Sequence, residues 1–125
     1  MQDLYIPGTD MLPEVSFKTS GELRIYGRAL PEDATKFFNP VFEWLRSFSS
    51  DVYSIEVNLD YFNTSVSKKL LDLFRIIESK PGTKKVNVKW MYEEGDDEML
   101  ESGEIYKELL PGFDFSFHKY AEFSR

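Results

Sequence analysis

The sequence predicts an α/β domain built on a mixed sheet of about five strands, with helices mainly on one face. Three observations predict it. Short stretches alternate apolar and polar residues, as half-buried strands do. Between them lie stretches whose apolar residues recur at three- and four-residue steps, the period of a helix packed along one side. After an opening pair of strands the two kinds take turns, in the order β-β-α-β-α-β-α-β. That order implies parallel strands joined by right-handed crossovers. A sheet covered on both sides would be apolar on both, and these strands are not. The uncovered face is expected to carry Arg24, Tyr26, Arg28, Glu56, Asn58, Asn87, Lys89, Asp114 and His118.

Residues 1–13 hold Pro7, Gly8 and Pro13 and show little periodicity; they read as an irregular lead-in with Leu4 and Ile6 resting on the sheet. Residues 14–18 and 22–28 alternate on either side of Thr19-Ser20-Gly21, a hairpin with a glycine-containing loop. Its apolar set is Val15, Phe17, Leu23 and Ile25. Pro31-Glu32-Asp33 opens a helix with acids in its first turn, followed by Phe37 or Phe38, Val41, Leu45 and Phe48 at helical spacing. Pro40 interrupts this face, because proline lacks the backbone donor and crowds the preceding turn. Asn39-Pro40 also suits a cap followed by a first helical residue. The expectation is therefore either a kink near Asn39 or a short turn and then a helix over 40–49.

Residues 52–59 form the next strand, with Tyr53, Ile55, Val57 and Leu59 inward. A helix over 65–80 buries Val66, Leu70, Leu73, Phe74 and Ile77, and Pro81-Gly82 ends it. Residues 84–92 alternate again, with Val86, Val88, Trp90 and Tyr92 inward. An acidic loop over 93–97 leads to a helix over 97–110, whose buried stripe is expected to be Met99 or Leu100, Ile105 and Leu109. After Pro111-Gly112, Phe113, Phe115 and Phe117 alternate with Asp114, Ser116 and His118 in a last strand.

Composition narrows the function classes. Residues 1–125 suit a single domain, one that buries roughly two-thirds of its unfolded surface around one core. Cysteine is absent, which removes disulfides, thiolate metal sites and cysteine nucleophiles and suits the cytoplasm. The first twelve residues lack the basic and apolar regions of a signal peptide. No apolar run is long enough to span a bilayer, so membrane insertion is not expected. A net charge of −7 opposes binding to nucleic acid.

No catalytic set assembles from the residue types present. His118 is the only histidine and reads as a surface residue, since histidine catalysis needs a placed partner. No glycine-rich phosphate loop or nucleophile elbow occurs. The acids from Glu93 to Glu101 lack calcium-loop spacing and fit a helix start favoured by the dipole. No cofactor or metal is expected. The informative stretch is the strand-to-helix junction Asp60-Tyr61-Phe62-Asn63-Thr64-Ser65. A helix start leaves backbone N–H groups unpaired and carries partial positive charge. Asn63 or Thr64 could simply cap it. Alternatively, a hydroxyl there could be phosphorylated and hold a dianion against those amides.

Several stretches together carry a resemblance: Gly21-Glu22-Leu23 with Ile25-Tyr26-Gly27-Arg28, Pro31-Glu32-Asp33-Ala34, Pro40 with Trp44-Leu45, Leu59-Asp60-Tyr61-Phe62-Asn63-Thr64-Ser65, and Trp90-Met91-Tyr92-Glu93 followed by Asp97-Glu98-Met99. Along most of its length the chain resembles the SiaC family of bacterial regulatory phosphoproteins. The resemblance implies a fold similar to the STAS domain of anti-sigma-factor antagonists, which carry a phosphorylatable serine in an Asp-Ser-Ser-Gly junction. Here Asn63 stands in the place of the aspartate, Thr64 of the phosphorylated serine and Val66 of the glycine.

The resemblance further implies a non-enzymatic partner-switching role. A partner kinase and a PP2C-like phosphatase would act on Thr64, with Ser65 the alternative acceptor. The unphosphorylated form would bind and activate a diguanylate cyclase. The docking surface expected around the acceptor comprises Asp60, Tyr61, Phe62, Asn63, Ser67 and Lys68, with Lys68 or Lys69 near enough to help hold a phosphate. Two readings from other classes stand beside it. One is a small metal- or phosphoester-dependent enzyme using Asp60, Thr64 and the acidic loop. The other is a structural domain that dimerises through the open sheet face around Tyr26.

Overall fold

The computed structural model describes residues 1–121. Its described residues form a single sheet of six strands in chain order: β1 Leu4–Ile6, β2 Glu14–Phe17, β3 Glu22–Ala29, β4 Val52–Phe62, β5 Lys85–Glu93 and β6 Asp114–Tyr120. The helices are α1 Ala34–Ser47, α2 Thr64–Glu78 and α3 Asp97–Leu109. The extra strand is β1: Leu4 and Ile6 do rest on the core, but as part of a short edge strand paired antiparallel to β2. Three residues with two prolines nearby give too weak an alternation to announce a strand.

The hairpin β2–β3 is antiparallel, and β3 to β6 are parallel. Gly21 closes the hairpin at φ +94°, and a side chain there would meet the Val52 carbonyl oxygen at 2.5 Å. Each crossover advances the sheet by one strand in the same direction, so right-handed connections place α1, α2 and α3 on one face. The core lies between that face and the helices. Phe17, Ile25, Ile55, Val88 and Trp90 from the strands meet Phe38, Leu45, Leu70 and Phe74 from the helices, all fully buried or nearly so.

The other face is polar, as expected, and its charges pair with one another. Glu56 lies 3.7 Å from both Arg24 and Lys89, and the Arg24 guanidinium sits 4.2 Å from the Tyr26 ring centre. Asn58 departs from the rest of that set in being buried.

Three local expectations are corrected. First, α1 runs unbroken from Ala34 to Ser47 with Pro40 inside it, capped by Asp33, whose side chain accepts from the Lys36 N–H. Asn39-Pro40 is not a cap. Pro40 is exposed, so water can take the carbonyl it leaves unpaired, and the apolar face on both sides of it holds the helix to the sheet. Second, β4 does not end at Leu59 but continues to Phe62.

Third, the buried residues of α3 are Met99, Gly103 and Tyr106, with Leu110 just beyond. Ile105 and Leu109 are 56% and 42% exposed. The steps 99, 103, 106 and 110 fit a helix face as well as any. A small residue and a tyrosine on that face hid it from a reading guided by large aliphatic side chains.

Candidate functional site

The junction sits at the carboxyl end of β4, an interior strand with parallel neighbours on both sides. In open α/β sheets that edge is where ligands and partners are met. A bulge shapes it. Leu59 is paired with Gly27, but Arg28 is paired with Tyr61, so Asp60 is the extra residue. An inserted residue reverses the inward–outward alternation beyond it. Phe62 therefore turns to the core side, half-buried, with its ring edge-on to Trp90 at 6.4 Å. Tyr61 turns outward and is 54% exposed. Gly27, at φ +111°, supplies the backbone freedom on the opposite strand.

Asn63 then caps α2. Its Oδ1 accepts from the Val66 N–H at 3.0 Å and from the Ser65 hydroxyl at 2.7 Å. Its backbone carbonyl accepts from the Ser67 N–H at 3.0 Å. Thr64 is the first helical residue and is exposed. Its hydroxyl has no hydrogen-bond partner among the described residues. Ser65 is also exposed, but its hydroxyl is engaged by Asn63. The first turn of α2 contains no acid, whereas that of α3 contains Asp97 and Glu98. The first turn of α2 therefore adds no negative charge of its own to the positive end of the helix dipole.

The residues expected around the acceptor divide into two groups. Asp60, Tyr61 and Lys68 are exposed and flank Thr64; Lys68 follows it by one turn on the same side of α2. Phe62, Asn63 and Ser67 are half-buried and act within the fold. The Ser67 hydroxyl lies 3.2 Å from the Tyr106 hydroxyl, which donates to the Ser67 carbonyl at 2.8 Å. Lys69 leans away from the junction, 6.0 Å from the Phe42 ring centre in α1.

Tyr106 is the supporting residue that sequence reasoning missed. It ties α3 to the first turn of α2, packs on Trp90 at 5.4 Å and Phe74 at 5.5 Å, and is buried enough that its hydroxyl pKa is raised, an effect the Ser67 hydrogen bond partly offsets. Its place in the 99–103–106–110 spacing was the available signal.

Asp60 does share a shallow cleft with Asp96 and Glu98 from the acidic segment. Yet Asp96 spends an oxygen capping α3 at the Met99 N–H, 3.1 Å away, and among the described residues no three of His, Asp and Glu converge on a metal position. His118 is exposed on β6 beside Ser116. No helix of the described residues is long and apolar enough to cross a membrane.

The one-sided sheet and its helix mouth at the carboxyl end of β4 define a mixed α/β domain. The chain belongs to the SiaC family of regulatory phosphoproteins, whose sequence model matches residues 6–120. It is 29% identical over 113 residues to an uncharacterized protein of Pseudomonas aeruginosa strain UCBPP-PA14, an alignment covering 86% of this chain and 90% of the relative. Among solved structures it is similar to SiaC of Pseudomonas aeruginosa, at 28% identity and a TM-score of 0.77, covering 98% of this chain and all of the other. It is also similar to a chain in the crystal structure of the diguanylate cyclase SiaD in complex with its activator SiaC, from the same organism. There the identity is 28% and the TM-score 0.85, with 94% of this chain and all of the other covered.

Proposed function

We propose that this chain is a non-enzymatic partner-switching regulator that binds and activates a diguanylate cyclase while Thr64 is unmodified, and releases it when Thr64 is phosphorylated. The observation that carries the reading is the division of labour at the junction. Asn63 does the capping, so Thr64 presents an exposed, unengaged hydroxyl in a first helical turn that contains no acid. The family and the cyclase complex of a relative support the class of partner.

A kinase adds the phosphoryl group to Thr64, with Ser65 the secondary acceptor, and a PP2C-like phosphatase removes it. The phosphate brings about −1.5 to −2 charge. The helix amides and Lys68 accommodate that charge within the fold. The partner surface around Asp60, Tyr61 and Lys68 becomes strongly negative, and the complex is lost through repulsion and the cost of desolvating a dianion. A role of this kind places the chain in the cytoplasm, alongside its kinase.

The test compares wild type, Thr64→Ala and Thr64→Glu in binding to the diguanylate cyclase partner and in the rate of cyclic di-GMP formation. Thr64→Ala should bind as wild type does. Thr64→Glu should bind at least about tenfold more weakly, a loss of about 1.4 kcal/mol, while remaining folded. Equal affinity for all three would refute the reading, as would a kinase-treated chain carrying no phosphate on the peptide spanning 60–68.

A further inference from the structure

The two edges of the sheet are unlike. β1 is three residues long and is followed at once by Pro7; shortness and proline both keep a sheet edge from pairing further. β6 runs for seven residues and holds one register with β5, from Asn87 opposite Asp114 to Glu93 opposite Tyr120, with no bulge, proline or glycine. In a parallel ladder half of an edge strand's backbone N–H and C=O groups point away from its neighbour. Among the described residues no strand lies beyond β6. The one further backbone bond it accepts, from the Glu94 N–H to the Tyr120 carbonyl at 2.8 Å, comes from the β5 side.

The order of side chains about Ser116 suits one occupant. Laid antiparallel to a copy of itself with Ser116 on the two-fold axis, β6 sets Phe115 opposite Phe117 and Asp114 opposite His118, each pair occurring twice. Phe115 and Phe117 are already stacked at 6.3 Å, and Phe117 is only half-buried. Asp114 and His118 are exposed on the polar face, and a carboxylate directly across from an imidazole N–H is a favourable cross-strand pair. Moving the axis to Phe117 would set Phe115 against Lys119 and lose both pairings.

The helix above this edge agrees. Gly103 brings α3 down between Trp90 of β5 and Phe117 of β6. A two-fold axis through β6 therefore sets two α3 helices antiparallel and about 10 Å apart, the spacing of packed helices. Gly103 is level with Phe117, so Ser116, about 3.3 Å back along the strand, is level with a point about two residues further along α3. Glu104 and Lys107 straddle that point. Lys107 leans toward β6, 5.9 Å from the Phe117 ring centre, and Glu104 lies one turn away on the same flank. Both are exposed, and the antiparallel arrangement brings Glu104 of one copy to Lys107 of the other.

We propose that β6 pairs with β6 of a second copy of this chain, joining the two sheets into one with both helical layers on the same side. Each copy carries a net charge of −7, which opposes association, but β6 holds one acid, Asp114, and one lysine, Lys119, and adds nothing to that repulsion. One strand pair and one helix contact make a small interface, so the dimer is weak and exchanges with monomer. β6 lies two strands from β4, and the pairing stands apart from the phosphorylation reading of Thr64.

The chain has no cysteine, so a single one introduced into β6 reports the register. In sedimentation equilibrium the wild-type full chain should become dimeric as its concentration rises toward about 1 mM. Ser116→Cys should be bridged to its own copy by a short bifunctional thiol reagent. Asp114→Cys and His118→Cys should each be bridged poorly alone and readily when mixed. His118→Asp sets acid against acid twice and should weaken the dimer about tenfold. Adding Asp114→Lys to His118→Asp should restore it, with circular dichroism showing every variant folded. A wild type that stays monomeric at about 1 mM overturns the proposal, and the edge is then left for a strand of another protein. Failure of the mixed cysteine variants to cross-link overturns it as well, as does a dimer that His118→Asp leaves intact and Tyr26→Asp on the open face dissociates.

Discussion

Asn63 Oδ1 accepts from the Val66 N–H and from the Ser65 hydroxyl, and this one amide separates the structural task of the junction from the regulatory one proposed for it. Neighbouring residues should therefore respond oppositely to truncation. Asn63→Ala removes the cap and should cost about 1 kcal/mol in urea unfolding. Thr64→Ala should leave stability within about 0.5 kcal/mol, as for a surface position without special contacts. Thr64→Glu places a negative charge in a first turn that has none and should raise stability by about 0.3–1 kcal/mol, even as it weakens partner binding. Had Thr64 been the cap, Thr64→Ala would carry the cost instead. The sequence left that choice open, because Asn and Thr both cap well. The three-dimensional junction settled it by where each oxygen points.

Among the elements, α3 departed furthest from its sequence pattern. Its contact with the sheet is made through Gly103, where a side chain would meet the Trp90 ring at 2.6–2.7 Å and Phe117 at 2.8 Å. This close approach lets the Trp90 ring nitrogen donate to the Met99 carbonyl at 2.9 Å. Gly103→Ala should accordingly destabilise by about 1–3 kcal/mol through overpacking, despite alanine's better helix propensity. Near-ultraviolet circular dichroism of Trp90 and a melting curve would show it; unchanged stability would mean that α3 sits farther from the sheet. The extension of β4 has a similar origin. Whether the chain turns at Leu59 or runs on to Phe62 depends on the bulge opposite Gly27 and Arg28, a pairing between residues more than thirty positions apart. Pro40 illustrates the converse: a local breaker is overruled when the apolar face on both sides of it is held to one core.

Across the whole molecule, buried tyrosines link the core to pH. Burial raises the pKa of both Tyr53 and Tyr106, and the hydrogen bond to Ser67 offsets part of the rise at Tyr106. The unfolded chain ionises these hydroxyls near pH 10, before the folded chain does. Their contribution is thus fully present below about pH 10 and is lost as pH climbs through the folded values. Unfolding free energy should fall steeply above about pH 10, and Tyr106→Phe should make that fall shallower while costing about 1–3 kcal/mol at neutral pH, since the Ser67 groups lose their partner. By itself the sequence determined the element order from β2 onward, the single core, the polar open face and the position of the junction, because each rests on periodicity and on turn residues that act locally. The tertiary structure alone decided the phase of β4 beyond its bulge, the face that α3 buries and the release of Thr64 from capping. Each of these depends on which distant side chain occupies the space opposite, and spacing along a chain does not encode that.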